Sequence, residues 1–303
     1  MNRFCGKVLL FGEYSVIKGG KGLALPFFDY SGALEKLDSS LKGDCAASRL
    51  AEFAQFLRNS SILRRTLDLD KLEEDISKGL SFESDIPEGS GVGSSGALCA
   101  AIYSDYHLKK SLKDIQDSSN MAEILDHMAL MESFYHGSSS GLDPLISLAQ
   151  KPALVKSRNK IEFVSFDFDS EPELELYLFN TKTSRRTSPL VHDFLKMCEE
   201  PSFELEAQEF MRVSDELILA TLTNDAKAFD ELFYFLSKWQ FLNLRPMVCP
   251  SVHALWLEGL ESKKFYLKLC GAGGGGHYII YNRSPEKAFE QELKGRGAKK
   301  IKF

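Results

Sequence analysis

The chain has 303 residues, 44% hydrophobic and 26% charged, with a net charge of −6, the composition of a soluble globular protein long enough for two domains. That balance leaves no basic footprint for nucleic acid, and no stretch approaches the roughly 20 apolar residues of a membrane span. The six cysteines (Cys5, Cys45, Cys99, Cys198, Cys249 and Cys270) are scattered with no Cys-x-x-Cys pair, so reduced thiols in a cytoplasmic enzyme of small-molecule chemistry are expected, with neither nucleic acid nor membrane as partner.

In chain order, residues 7–11 read as a strand, 14–17 as a second short run and 23–27 as a third strand, separated by Gly12 and by the Gly19-Gly20 turn. The apolar run 8–11 stops at Gly12-Glu13, too short for the apolar region of a signal peptide. Lys7 alternates off the apolar face, where a solvated edge charge is the plain account. Residues 46–58 and 70–78 have helical spacing with exposed charge.

Residues 87–97 read Pro-Glu-Gly-Ser-Gly-Val-Gly-Ser-Ser-Gly-Ala and pass into a small, apolar helix-forming segment. The first N–H groups of a helix have no internal partner and carry the positive end of its dipole, so a glycine loop that exposes them makes an anion seat. Gly89, Gly91 and Gly93 allow close backbone approach. Ser94 and Ser95 can cap the helix, bond a phosphate oxygen or offer a hydroxyl to magnesium. A flexible loop with a serine cap is the competing reading. Neither Gly-x-x-x-x-Gly-Lys-Ser/Thr nor a dinucleotide fingerprint is present, which leaves a nucleotide phosphate site of another type.

A helix over 96–108 is followed by a polar linker and a helix over 120–135 that stops at Gly137. Glu132 sits near the end of that helix, where its charge opposes the dipole unless a lysine or a bound cation compensates. Asp143 before Pro144 has the look of a helix N-cap. The same aspartate, after a Gly/Ser-rich loop, is also placed to face a phosphate site. Runs 161–168 and 174–179 read as β, with a domain boundary near 150–175. A polar turn over 180–189 holds Arg185 and Arg186, suited to an anionic substrate or to plain solvation. Helices follow over 190–198, 204–221 and 225–239. Strands 265–270 and 277–281 flank Gly271-Ala-Gly-Gly-Gly-Gly276, and four consecutive glycines imply a close backbone approach.

Three of these segments together resemble the GHMP kinase family: 6–19 its first motif, 87–97 its phosphate-binding second and 268–276 its third. Glu132-x-x-x-His-Gly-x-x-Ser-Gly-x-Asp143 and Asn180-Thr-Lys-x-x-Arg-x-Thr187 are similar to segments of its mevalonate kinase branch. The resemblance implies an α+β, two-domain GHMP kinase fold, with a ribosomal protein S5 domain 2-like N-terminal domain over 1–165 and a ferredoxin-like C-terminal domain over 166–303. It implies transfer of the ATP γ-phosphoryl group to a hydroxyl of a mevalonate-like alcohol, by a monomer or homodimer that uses ATP and Mg2+.

By the same resemblance Lys7 and Asp143 are catalytic. Gly89, Ser90, Gly91, Val92, Gly93, Ser94, Ser95 and Gly96 bind ATP together with Gly273 and Gly274. Ser95 and Glu132 hold the metal, and Glu13, Tyr14 and Thr187 face the substrate. The chain departs from the pattern at Tyr14 (usually His), Pro144 (usually Asn), Gly96 (Ala) and Cys270 (Thr or Ser). Competing expectations are a sister kinase such as phosphomevalonate kinase, an ATP-dependent decarboxylase of the same superfamily, and a non-catalytic nucleotide-binding protein.

Overall fold

A computed structural model describes residues 2–36, 44–87, 89, 91–109, 121–157, 160–165, 174–184, 187–284 and 286–301. Its two opening strands, β1 (Phe4–Phe11) and β2 (Gly22–Lys36), belong in part to each of two compact units. The first unit comprises Met1–Lys7, Pro26–Pro87 and Val92–Lys151, the second Val8–Leu25, Glu88–Gly91 and Pro152–Phe303. The run 14–17, expected as a strand, is a 3-10 turn over Ser15–Lys18. Gly12 at φ 110° and Tyr14 at φ 63° lie outside the extended region, so no strand can pass through them.

The first unit continues with α1 (Asp44–Asn59), α2 (Leu63–Thr66), α3 (Leu69–Ser77), β3 (Leu80–Ser84), α4 (Ser94–Tyr106), α5 (Met121–His136) and α6 (Leu142–Ala149). β3 pairs antiparallel with β2, from Gly32↔Ser84 to Lys36↔Leu80. α3 begins where the Asp68 carboxylate accepts the N–H of Lys71 at 3.1 Å, satisfying a donor that the helix itself cannot. α4 buries Ala97, Cys99, Ala100, Ala101, Ile102 and Tyr103 around its whole circumference. A helix that apolar must be enclosed, and α5 and α6 pack against it. α6 is capped not by Asp143 but by Gly141, in the left-handed region at φ 73°. A Cβ at Gly141 would lie 2.5 Å from the Leu125 carbonyl, so close packing on α5 demands the glycine. Asp143 is therefore in the first helical turn, free of capping duty.

The second unit adds β4 (Ala153–Ser157), β5 (Lys160–Phe163), β6 (Glu175–Asn180), α7 (Thr187–Met197), α8 (Pro201–Leu222), α9 (Ala226–Asn243), α10 (His253–Ser262), β7 (Phe265–Leu269), β8 (His277–Asn282), α11 (Lys287–Gly295) and β9 (Ala298–Lys300). Its four-stranded sheet runs β7-β8-β6-β9 with every pair antiparallel. From β6 onward the order is β, helices, β, β, α, β, the ferredoxin-like sequence of elements that the resemblance implies. β7 and β8 are buried at every position, which calls for cover on both faces. α9 and α10 pack on β7. The stacked Phe210–Trp239 pair, with ring centroids 4.4 Å apart, joins α8 to α9. Elsewhere in the unit, Gly22 to Ala24 of β2 pair antiparallel with β4, and β4 with β5. Among the described residues no helix is long and apolar enough to cross a membrane.

Candidate active site

The first unit gathers Lys7, Val92 to Gly96, Glu132 and Asp143. β1 delivers Lys7, whose backbone N–H donates to the Val92 carbonyl at 2.9 Å and so ties the strand to the loop before α4. The Lys7 ammonium lies 2.6 Å from Asp143 Oδ1, with side-chain exposures of 9% and 30%. The expected solvated edge charge at Lys7 is thus replaced by a largely buried ion pair. Gly93 is the N-cap of α4 at φ 83°, and a Cβ there would lie in ordinary contact with the Lys7 backbone nitrogen at 3.4 Å and Asp143 Oδ2 at 3.8 Å. One turn on, a Cβ at Gly96 would come within 2.9 Å of both the Asp143 carbonyl carbon and the Pro144 nitrogen. Gly96 therefore lets α4 approach the backbone at Asp143 closely, while Gly93 is called for by its positive φ.

Glu132, only 4% exposed, closes the group from α5. Ser95 Oγ donates to its Oε1 at 3.3 Å and lies 3.1 Å from His136 Nε2. The Ser139 hydroxyl bonds its Oε2 and also accepts the N–H of Gly141 at 2.9 Å. Burial, reinforced by the nearby Asp143 charge, pushes the Glu132 carboxyl up to about 7, while Ser139, Lys7 and Ser95 pull the other way. A buried carboxylate with too little positive charge around it is what a cation would relieve. Among the described residues no three His, Cys, Asp or Glu side chains converge as a metal site. One carboxylate and one hydroxyl, both hard oxygen donors, fit a magnesium ion that takes its remaining ligands from phosphate and water.

The second unit holds the other expected residues. Glu13 and Lys268 form an ion pair at 2.5 Å with side chains 1% and 0% exposed. Burial raises the Glu13 carboxyl; Lys268 and the N–H of Gly271 draw it back. Tyr14, 3% exposed, donates its hydroxyl to the Ala272 carbonyl at 2.6 Å. Gly273 and Gly274 lie in a turn whose N–H groups at 274 and 276 donate to Met247 and Thr183. A Cβ at Gly89 would sit 3.1 Å from Ser184 Oγ. Ser90, Arg185 and Arg186 lie outside the described residues, as does the side chain of Thr187.

The sequence pattern assigns no role to Ser139, His136 or Lys268. Ser139 and His136 were visible as polar residues directly after Glu132 in the His-Gly-Ser-Ser-Ser-Gly run. The pairing of Lys268 with Glu13 had no local signal.

Residues 54–151 match the GHMP kinases N terminal domain. The chain is 24% identical to a mevalonate kinase of Thermococcus onnurineus over 94% of this chain and 89% of that one. Among solved structures it superposes on L. major mevalonate kinase in complex with R-mevalonate at a TM-score of 0.68 and 20% identity, covering 97% and 91% of the two chains. The Methanococcus jannaschii mevalonate kinase gives 0.67 and 18%, covering 100% and 98%. Residues 54–151 thus match the N-terminal domain of the GHMP kinases, and over nearly its whole length the chain is similar in sequence and in fold to mevalonate kinases.

Proposed function

We propose that this chain is an ATP-dependent phosphotransferase that moves the γ-phosphoryl group to a hydroxyl of a mevalonate-like alcohol. One observation carries the reading: the 2.6 Å contact of Lys7 with Asp143, placed against Gly93 at the start of α4. Similarity to enzymes named mevalonate kinase over most of the chain supports the choice of acceptor.

Phosphoryl transfer requires in-line placement, neutralised phosphate charge and a destination for the hydroxyl proton. The free N–H groups at the start of α4 hold phosphate oxygens, and Gly93 permits their close approach. Asp143 orients the acceptor hydroxyl and takes its proton as the new oxygen–phosphorus bond forms and the bond to the ADP oxygen breaks. The Lys7 ammonium, already against Asp143, balances negative charge at the attacking oxygen. Ser95 and Glu132 would hold Mg2+, which when bound neutralises phosphate charge. Gly273 and Gly274 contact the nucleotide.

An ADP-release assay with mevalonate, its 5-phosphate, homoserine and galactose as acceptors tests the reading. ADP release with mevalonate is the expected result. Saturation only by the 5-phosphate would point to a sister kinase, carbon dioxide release to a decarboxylase, and ATP binding without acceptor-dependent ADP to a non-catalytic protein.

A further inference from the structure

Two consecutive residues of the second unit grip its glycine turn. Glu13 is ion-paired with Lys268 at the end of β7, and Tyr14 donates its hydroxyl to Ala272 inside the turn. Tyr14 does so from a left-handed backbone, φ 63° and ψ −37°, that a tyrosine rarely adopts. Such strain persists only where the surroundings over-determine it. Here the ring is tilted on Phe194 of α7 with centroids 4.5 Å apart, and the hydroxyl bond is short and buried.

The turn itself needs external restraint. Gly271, Gly273, Gly274, Gly275 and Gly276 all have positive φ, and glycine loses more conformational freedom on ordering than any other residue. Backbone bonds from Gly274 to Met247 and from Gly276 to Thr183 fix its far half. Its near half, at Ala272, is held by the Tyr14 hydroxyl.

We propose that Tyr14 is a positioning residue for the glycine turn and not an acceptor contact: through Ala272 it holds the Gly273-Gly274 backbone in the shape that receives the nucleotide. This rests on the phosphotransferase reading for its kinetic consequence, but not for its structural one. The buried hydroxyl is already committed, which leaves the acceptor no donor at this position.

Tyr14→Phe removes the hydroxyl and keeps the ring. Hydrogen exchange of the 271–276 amides needs no acceptor and reads the clamp directly. Exchange there should accelerate about 10-fold, the worth of one net hydrogen bond, while exchange in the first unit is unchanged. The KM for ATP, or the Kd from nucleotide titration if no acceptor is turned over, should rise by about 5–10-fold with the acceptor KM unchanged. Unchanged turn exchange would overturn the proposal, and so would a rise in acceptor KM that exceeds the rise for ATP. Faster turn exchange in a protein that phosphorylates nothing would leave the clamp standing and remove only the kinase reading.

Discussion

Lys7 on β1 and Asp143 in the first turn of α6 hold their charged atoms 2.6 Å apart, although the sequence separates them by almost half the chain. Neither has a purely local reason for its place. A lysine at 9% exposure is costly to bury unless a partner is supplied, and α6 is capped by Gly141 without help from Asp143. Asp143→Asn therefore separates structure from chemistry. Turnover should fall on the order of 10²–10⁴-fold, the usual worth of a positioned proton acceptor. Stability should fall by only about 1–3 kcal/mol, for a charge left partly unpaired. Turnover measured beside a urea unfolding curve checks both, and retained turnover would reduce Asp143 to a structural ion-pair partner.

Gly96→Ala tests how tightly α4 is seated against α6. The added Cβ would lie 2.9 Å from two backbone atoms, Asp143 C and Pro144 N, and backbone cannot rotate away as a side chain can. The variant should lose about 1–3 kcal/mol as the helices part, and its turnover should drop because Asp143 moves with α6. A variant with wild-type stability and turnover would show that the close approach has no consequence.

The Glu13–Lys268 pair predicts a non-additive double mutant. Lys268→Met leaves the Glu13 carboxyl buried without its cation and should cost about 3–5 kcal/mol. Combining it with Glu13→Gln should regain part of that loss, because no charge is then stranded. Urea midpoints of the two single variants and the double close the cycle; losses that simply add would mean that the two groups do not depend on each other.

Metal-free stability should carry the signature of Glu132. Burial, then the Asp143 charge, raises its carboxyl from 4.5 to about 7. Between those values the folded chain keeps a proton that the unfolded chain has lost, so this group makes stability fall as pH rises through the window. The full effect is on the order of 3 kcal/mol at 1.36 kcal/mol per pH unit. Urea midpoints in EDTA from pH 4.5 to 7.5 should decline for the wild type more steeply than for Glu132→Gln; parallel curves would contradict the assignment.

Much of the architecture was legible because it is written in local pattern. The helices around 46–58, 70–78, 96–108 and 120–135 sit within two residues of their expected ends, since apolar periodicity and the glycines at 93 and 137 mark them. The 14–17 run failed as a strand because backbone dihedrals at Gly12 and Tyr14, not apolar content, decide the path there. Asp143 before Pro144 looked like a cap because that pair usually is one; the packing of Gly141 on Leu125 and Ala129 moved the helix start upstream. The contacts of Glu13 and Tyr14 with the 268–272 segment join the two ends of the sequence, and no periodicity in either stretch announces them.

The most direct test is phosphorus NMR of the product. With ATP, Mg2+ and mevalonate, the protein should produce ADP and a new phosphomonoester in equal amounts, and Asp143→Asn should produce neither at a comparable rate. ATP left intact, or ADP accompanied only by inorganic phosphate, would contradict transfer to an alcohol at the Lys7–Asp143 pair.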